Sequence, residues 1–264
     1  MSLPSPAIHP DHFQRTLRRA DMPVQAYSAS GGPGDLTDWH DHPTAQLFHV
    51  IRGSLAVDIA EGTFFVPPER AVWLPGGIRH RTRYLTETEV RYMYFGAAMQ
   101  VSLPEDPRVM QVTPLLRELI LAFMAHPRRD RLEGPQARLA DVILDQLKLL
   151  PASPLQLPMP ADPRLKRLCA DLAQAPQSPP RLEQAAQACG WSVRSFERRM
   201  QAETGLTYRA WCRQMKLFRA LELLSAGQPV SDVSHALGYE GPSAFIASFR
   251  KAFGVTPGRY FGSP

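Results

Sequence analysis

The segment TYRAWCRQMKLFRALELLSA, from Thr207 to Ala226, predicts one long helix. Its apolar residues recur at steps of four, three, three and three, which places them on one helical face: Trp211, Met215, Phe218, Leu221 and Leu224. Gly227 predicts the end of the helix, and Pro229 follows just beyond it. About 20 residues at about 1.5 Å each make a helix of roughly 30 Å. Similar short helical segments are predicted on both sides of this helix in the sequence.

A short helix, a glycine-containing turn and a second helix precede the long helix. Gly190 marks the turn, and Ser192 is suited to cap the next helix, which covers 193–204. Phe196 and Met200, four residues apart, are expected to face inward. The opposite face carries polar residues at major-groove spacing: Arg194, Glu197, Arg198 and Gln201. Such side chains pair with guanine, cytosine and adenine, although a solvated charged face is the commoner meaning of one such helix.

The same arrangement follows the long helix. It begins at Pro229, turns at Gly238 and continues as a helix over 243–253. Phe245 and Phe249 repeat the inward pair of the first unit at an offset of 49 residues, which makes a degenerate internal repeat. Two helix-turn-helix units about one turn of B-DNA apart, roughly 34 Å, predict a DNA clamp.

The second unit offers weaker base readers than the first. Its outward positions hold one hydroxyl, two apolar groups and one charge: Ser243, Ile246, Ala247 and Arg250. Apolar groups can contact thymine methyls but cannot form bidentate hydrogen bonds. We therefore expect this helix to contribute mainly phosphate contacts and indirect readout.

Charge divides the chain into two parts. The whole sequence has a net charge of +5. Residues 164–264 hold 14 Lys and Arg against 7 Asp and Glu, whereas the first 163 residues hold 16 against 18. A basic C-terminal part beside a mildly acidic N-terminal part favours a polyanionic partner for the former, with a chance surplus of surface arginine as the alternative.

The cysteines and the apolar runs indicate a cytoplasmic protein. Cys169, Cys189 and Cys212 are odd in number and widely spaced, which argues against a disulfide scaffold and for a reducing compartment. The first 20 residues contain no apolar core of signal-peptide length. No run approaches about 18 consecutive apolar residues, so no membrane span is expected.

Short β-type runs separated by turns fill the region from about 20 to 100. They are rich in β-branched and aromatic residues and cover five segments: 46–51, 54–59, 62–67, 71–75 and 89–95. Many short strands at close spacing predict a barrel or jelly roll.

Four potential metal ligands lie in this region: His40, His42, Gln46 and His80. Residues two apart on a strand share a face, so the first three are expected to project into the barrel together. Three imidazoles and an amide oxygen could hold a divalent metal ion with open coordination positions. Alternatively, they line an empty or organic-ligand pocket, with Trp39, Phe48 and Trp73 as walls or as plain core.

Two stretches resemble the cupin motifs. The first motif is matched by Gly34, His40, Asp41, His42, Gln46 and Gly53 at the expected spacing, with Gln46 in place of the usual Glu. The core of the second is matched by residues 75–80, whereas Glu69 and Tyr84 depart from the expected Gly and Asn. The resemblance implies a cupin-like barrel. Losing the glutamate removes the anionic ligand and lowers the affinity for a hard cation.

Two helices and a proline-rich stretch are expected in the middle of the chain. The first covers 112–126, with Thr113 as its N-cap and Pro114 at its first position. The second, about 135–150, carries a stripe of Leu139, Ile143, Gln146 and Leu150, with Val142 and Leu147 alongside. We favour pairing of this stripe with a second subunit over packing on its own barrel. Five prolines within 151–163 predict a semi-rigid linker.

The C-terminal part resembles the AraC/XylS family of transcription regulators. The family signature appears as Gly238-Tyr239, Phe245, Phe249, Phe253-Gly254, Thr256-Pro257 and Tyr260. The resemblance implies a tandem helix-turn-helix domain behind a cupin-like domain, and it maps base reading in the first unit onto Arg194, Glu197 and Arg198. Ala247 departs from the family, which commonly has Arg there.

The sequence as a whole predicts a multidomain α and β protein. Its expected parts are a cupin-like effector-binding domain (1–110), a helical region for dimerisation (111–150), the linker (151–163) and a DNA-binding domain (164–264). We expect a sequence-specific regulator, not an enzyme, that binds a double-stranded DNA operator and a small-molecule or metal effector. A homodimer and contact with RNA polymerase are further expectations.

Two other classes of protein fit parts of the sequence less well. A metal-dependent cupin enzyme with a helical appendage would explain the histidines but would leave the clamp without a role. A non-specific nucleoid-type binder is disfavoured because Glu197 lies among arginines on the reading face.

Overall fold

The computed structural model of the protein describes residues 23–100, 103–126, 132–153 and 155–261. The N-terminal 22 residues, in which no signal peptide is expected, lie outside this part. Internal contacts divide the chain into two compact units. The first contains the described residues up to 60 and 64–156, and the second contains 61–63 and the described residues from 157 onward.

The first unit is built on antiparallel strands. They are β1 (Val24–Gly31), β2 (Ala45–Arg52), β3 (Leu55–Ile59), β4 (Gly62–Val66), β5 (Arg70–Leu74), β6 (His80–Tyr84), β7 (Thr88–Phe95), β8 (Arg108–Gln111) and β9 (Ala152–Ser153). One sheet has the order β1-β7-β2-β5-β8-β9, and in another β4, β3 and β6 are neighbours in that order. The predicted N-terminal β domain is confirmed.

Helices cover one face of the larger sheet. They are α1 (Ala97–Gln100), α2 (Pro114–Met124) and α3 (Gly134–Leu149). Thr113 caps α2 as predicted, because its hydroxyl accepts a hydrogen bond from the Leu116 amide at 3.2 Å. Strand residues alternate between faces, so Leu47 of β2 joins the core beneath these helices while its neighbour Phe48 faces the other way.

The apolar stripe of α3 packs inside its own unit. Ile143 and Leu147 are fully buried in the core, and Leu139 and Leu150 pack against it. The prediction that this stripe forms a subunit interface is therefore wrong for Ile143, which is covered by its own chain. Of the residues named alongside the stripe, Val142 is 42% exposed.

The second unit is helical. Its helices are α4 (Pro163–Gln174), α5 (Leu182–Ala188), α6 (Val193–Thr204), α7 (Tyr208–Ser225), α8 (Val230–Ala236), α9 (Pro242–Phe253) and α10 (Pro257–Phe261). A short strand, β10 (Gln156–Pro158), lies where the two units meet in the sequence. The prediction of an all-helical C-terminal domain with two helix-turn-helix units is confirmed.

Helix α7 is the predicted long helix. The Thr207 side chain caps it by accepting from the Ala210 amide at 3.3 Å, and Gly227 follows its end in the left-handed region with φ 81°. Trp211 and Met215 are buried, and the indole Nε1 of Trp211 donates to the Pro158 carbonyl at 2.7 Å. The helix is therefore anchored by its predicted apolar stripe.

The two helix-turn-helix units share one pattern of buried residues. Four side chains are fully buried: Phe196, Met200, Phe245 and Phe249. Ser192 caps α6 by accepting from the Ser195 amide at 3.3 Å. The turn of the second unit requires Gly238, because its φ is 66° and a Cβ there would collide with the Gln177 carbonyl oxygen.

Among the helices of the described ranges, none combines the length and the apolar character needed to cross a membrane.

Candidate nucleic-acid interface and effector site

Helix α6 presents two arginines to solvent. Arg194 and Arg198 are exposed, and neither forms a hydrogen bond or an ion pair with another described residue. Glu197 is half-buried, and its Oε2 accepts from the Tyr208 amide at 3.4 Å at the start of α7. Gln201 is exposed, but its Nε2 donates to the Gly205 carbonyl at 2.8 Å. Two of the four predicted base readers thus already have partners within the protein.

A third arginine of α6 has a different role. The Arg199 guanidinium lies 4.7 Å from the centroid of the Trp191 ring, and Arg164 lies 4.0 Å from the same ring. Arg199 also pairs with Asp162 at 3.7 Å, and Glu203 accepts from the Asp162 amide at 2.8 Å. These contacts hold α6 against the start of α4. Sequence reasoning missed them, because only the position of Arg199, about 100° around the helix from Arg198, signals a separate role.

Helix α9 carries the predicted second reading face. All four predicted residues line one surface groove of about 670 Å³, namely Ser243, Ile246, Ala247 and Arg250. Lys251 lines the same groove and was not singled out in the sequence. The groove therefore combines an apolar floor with two cations, and none of its lining residues carries a carboxylate.

The three histidines of the β domain cluster. One ring nitrogen from each of His40, His42 and His80 lies within 4.8 Å of the others. His40 and His80 form an isolated β-bridge, with the His40 amide donating to the His80 carbonyl at 3.0 Å. The prediction that His40, His42 and Gln46 share one continuous strand is wrong, because β2 begins only at Ala45. Pro43 lacks the amide that a ladder needs.

Backbone carbonyls orient all three imidazole rings. The Nδ1 atoms of His40, His42 and His80 lie 2.7–2.8 Å from the carbonyl oxygens of nearby residues: Asp38, Thr44 and Ile78. A carbonyl can only accept, so the Nδ1 atoms of His40 and His80 donate to it, which in a neutral ring leaves the lone pair on Nε2. The Nδ1 of His42 also lies 3.0 Å from the Thr44 hydroxyl, which can donate to it in the other tautomer. The Nε2 atom of His80 is buried without a hydrogen-bond partner among the described residues.

Burial keeps the two inner rings neutral. Desolvation lowers the pKa of His80 to about 3, and it also lowers the pKa of His42. At neutral pH both rings therefore present a lone pair rather than a positive charge.

Gln46 meets the cluster through its amide oxygen. Its Oε1 lies 3.0 Å from the Nε2 of His42, and its Nε2 donates to the Tyr94 hydroxyl at 2.6 Å. With Nδ1 of His42 protonated, two acceptors face each other at hydrogen-bond distance. Three arrangements resolve this: a cation bound by both atoms, an amide turned end for end, or the other His42 tautomer, in which the Thr44 hydroxyl donates to Nδ1 and Nε2 donates to Gln46.

Of the residues predicted to wall the pocket, Phe48 and Trp73 lie on opposite faces of the larger sheet. Phe48 contacts the cluster, with its ring centroid 5.9 Å from that of His80. Trp39 is 41% exposed, and the Arg81 guanidinium lies 5.0 Å from its ring. The prediction that Trp73 walls the same pocket is wrong. Trp73 pairs in register with Leu47 rather than Phe48, so it lies in the core under the helices, where its Nε1 donates to the Pro104 carbonyl at 2.8 Å.

Two tyrosines complete the wall beside the histidines. The Tyr92 ring centroid lies 5.1 Å from that of Phe48, and the Tyr94 ring lies 5.6 Å from that of His42. Sequence reasoning did not single them out. The alternation of the predicted strand 89–95 could have identified them, because its even-numbered positions share one face.

Comparison with known proteins addresses both units. Residues 23–147 match the AraC-like ligand binding domain, and residues 185–263 match a helix-turn-helix domain family. The HTH-type transcriptional regulator NimR of Escherichia coli (strain K12) is 33% identical over 236 residues, which cover 89% of this chain and 86% of that protein. The chain belongs to the AraC family of transcription regulators.

Two further comparisons cover different shares of the chain. The HTH-type transcriptional activator RhaR of Pectobacterium atrosepticum is 33% identical over 129 residues, which cover 47% of this chain and 45% of RhaR. A crystal structure of ToxT from Vibrio cholerae, bound to an unsaturated fatty acid, covers 90% of this chain and 94% of that chain at 10% identity and a TM-score of 0.38.

Membership of the AraC family fixes the class of function. The C-terminal helix-turn-helix domain binds DNA, and the N-terminal domain is a ligand-binding domain of a transcription regulator. Proteins of this family are regulators rather than enzymes.

Proposed function

We propose that this AraC-family regulator reads a specific operator with α6 and α9, and that a divalent metal ion in its β domain controls this binding. The observation that carries the metal assignment is the buried, unpartnered Nε2 of His80, which lies in a cluster with His40 and His42. Arg194 and Arg198 on α6 and the groove of α9 support sequence-specific DNA binding.

The two reading helices divide the work of recognition. Arg198 is exposed in the middle of α6 and can form a bidentate contact with guanine, which contributes about 1–3 kcal/mol of discrimination. Glu197 and Gln201 assist through hydrogen bonds that fix the start of α7 and the turn after α6, respectively. Arg250 lies beside Ile246 and Ala247 and is expected to hold a phosphate.

Replacing these two arginines should have different consequences. Arg198→Ala should relax base preference in one half of the site. Arg250→Ala should weaken all sequences about equally and reduce the salt slope of binding by about one. Binding-site selection on both variants, repeated at two salt concentrations, measures both effects.

A matched control removes an exposed arginine from the other unit. Arg138→Ala on α3 should change neither the base preference nor the salt slope. The division of labour is contradicted if Arg250→Ala changes the preferred bases while Arg198→Ala lowers affinity uniformly.

The donor set of the histidine cluster fits a transition metal. His40, His42 and His80 supply imidazole lone pairs, and Gln46 supplies an amide oxygen, a set that suits Zn²⁺, Ni²⁺, Co²⁺ or Cu²⁺ better than Mg²⁺ or Ca²⁺. When bound, the ion would join ligands from separate stretches of the chain and so order the site. The chain prepares that site itself, since carbonyls fix the rings and Tyr94 fixes Gln46.

Removing one ligand should remove the metal. We expect His40→Ala to lose stoichiometric metal in purified protein, as measured by elemental analysis and by calorimetric titration with Zn²⁺. His40 is only partly buried, so the variant should fold. His126→Ala, which lies outside the cluster, is the control and should keep the metal.

The response to metal distinguishes two kinds of effector. Adding a chelator should change operator affinity in the wild-type chain and leave the His40→Ala variant unaffected. Metal-free wild-type protein with unchanged operator binding and transcription would contradict the metal proposal. In that case the aromatic wall of Phe48 and Tyr92 favours a small organic effector in the same barrel.

Further parts of the proposal concern organisation and partners. We assign effector binding to 1–110, a helical region to 111–150, the interdomain linker to 151–163 and DNA binding to 164–264. We also propose a homodimer and contact with RNA polymerase. Val142 and Leu149, which are 42% and 75% exposed and lie seven residues apart on one face of α3, support a protein interface on that helix.

A further inference from the structure

A second cavity lies within the C-terminal unit. Its volume is about 520 Å³, and it is distinct from the groove of α9 and from the histidine cluster. Its lining comes from the start of α5, the first half of α7, the residue after the Gly238 turn and α9. The cavity therefore touches both helix-turn-helix units and the helix that connects them.

The lining of this cavity is cationic. It contains Arg181, Arg209, Arg213 and Lys216, against one carboxylate from Glu183. The three cations of α7 lie at spacings of four and three, so they share one face of the helix. None of the four cations forms an ion pair within the described part of the chain. The cavity therefore has an uncompensated positive charge.

Lys216 is the innermost of these cations. It is half-buried, and its Nζ lies 5.5 Å from the centroid of the Tyr239 ring. Burial lowers the pKa of Lys216, which reflects the cost of keeping this ammonium away from water. An anion placed in the cavity would offset that cost.

Aromatic and apolar groups supply the other walls. The hydroxyl of Tyr208 donates to the Pro180 carbonyl at 2.9 Å, and that of Tyr239 donates to Ser248 Oγ at 3.4 Å. Both hydroxyls therefore have partners within the protein, and both tyrosines line the cavity. A volume of this size, with aromatic walls and a few converging charges, is typical of small-molecule sites.

The residue that α9 contributes to the cavity lies opposite to the reading face of that helix. Ser248, which lines the cavity, lies two residues from both Ile246 and Arg250, which line the reading groove. At about 100° per residue, two positions place Ser248 roughly 200° around the helix from each. A DNA duplex on the reading face of α9 would therefore not cover this wall of the cavity, which favours a small ligand over a backbone phosphate.

We propose that this cavity is a second ligand site, which binds a small aromatic carboxylate while the protein is on DNA. Arg213 and Lys216 hold the carboxylate, and Tyr208 and Tyr239 hold the ring. Because the ligand contacts both helix-turn-helix units, it stabilises one spacing between them. This inference goes beyond the proposed effector site and does not depend on the histidine cluster.

Calorimetric titration of the full chain with 2-naphthoate tests the site. We expect saturable binding at one site, about tenfold or more weaker for the neutral analogue 2-naphthamide. Arg213→Gln/Lys216→Met should weaken naphthoate binding by at least about tenfold, whereas Arg219→Gln, on α7 outside the cavity, should leave it unchanged. Binding should persist in the His40→Ala variant, which excludes a carboxylate bound through a metal ion in the histidine cluster.

Two results would overturn the proposal. One is the absence of saturable naphthoate binding, or equal binding by the Arg213→Gln/Lys216→Met variant. The other is loss of naphthoate binding when the protein is saturated with duplex DNA, which would assign these cations to backbone phosphates. Neither result bears on operator recognition by α6 and α9, which the site-selection experiment tests separately.

Discussion

Met215→Pro should lower operator affinity by at least about a hundredfold, because it uncouples two DNA-binding units that act together. Met215 lies in the middle of α7 and is 2% exposed. Proline there removes a helical hydrogen bond and clashes with the carbonyl of Trp211, at a cost of about 3 kcal/mol or more. Fluorescence anisotropy with a selected operator fragment measures the affinity.

A volume-conserving change separates the kink from the loss of packing. Met215→Leu keeps the helix and should cost less than about 1.5 kcal/mol of stability, with operator affinity near that of the wild type. Circular dichroism shows whether the proline variant keeps its helical content. A folded Met215→Pro protein with undiminished affinity would mean that a continuous α7 is not needed for binding.

Trp211→Ala should lower the free energy of unfolding of the C-terminal unit by about 3–5 kcal/mol. The Trp211 side chain is fully buried, and its Nε1 donates to the Pro158 carbonyl at 2.7 Å. The substitution leaves a cavity and also deprives that carbonyl of its donor. Urea unfolding of the full chain, followed by helical circular dichroism, reports the loss.

The matched variant Trp211→Phe keeps most of the ring volume but removes the hydrogen bond. It should cost clearly less than Trp211→Ala, because only the polar contact and part of the volume are lost. Equal costs for the two variants would show that the hydrogen bond, rather than the buried ring, holds α7 to Pro158.

Periodicity and caps predicted the helical unit well. Helix geometry alone determines the apolar positions of α7 and the inward pairs Phe196–Met200 and Phe245–Phe249. All of these residues are buried except Leu224, which is half-buried. Caps are equally local, so Ser192 could be recognised from its position before the helix. Short-range rules decide these features, and the sequence contains everything they need.

The features that could not be predicted from the sequence depend on contacts between distant segments of the chain. The histidine cluster was predicted, but its geometry was not, because His80 reaches His40 through a bridge between distant segments. The burial of Ile143 and the position of Trp73 depend on which sheet face the helices cover. Strand alternation defines two faces but does not say which one is covered.

The side chains on the reading face illustrate the same limit. Spacing placed Glu197 and Gln201 beside Arg198, but not the hydrogen bonds that they make to Tyr208 and Gly205. The cavity between the two helix-turn-helix units also could not be predicted from the sequence, because its walls come from four separate segments.

Helices α6 and α9 are proposed to occupy successive major grooves of one operator, with base-specific contacts concentrated at α6. Guanine methylation interference and hydroxyl-radical footprinting of the wild-type protein on a selected operator test this directly. We expect two contact tracts on one face of the duplex, with centres about 10–10.5 base pairs apart. Guanine interference should occur in one tract and disappear in Arg198→Ala. A single tract, or uniform protection without guanine interference, would contradict it.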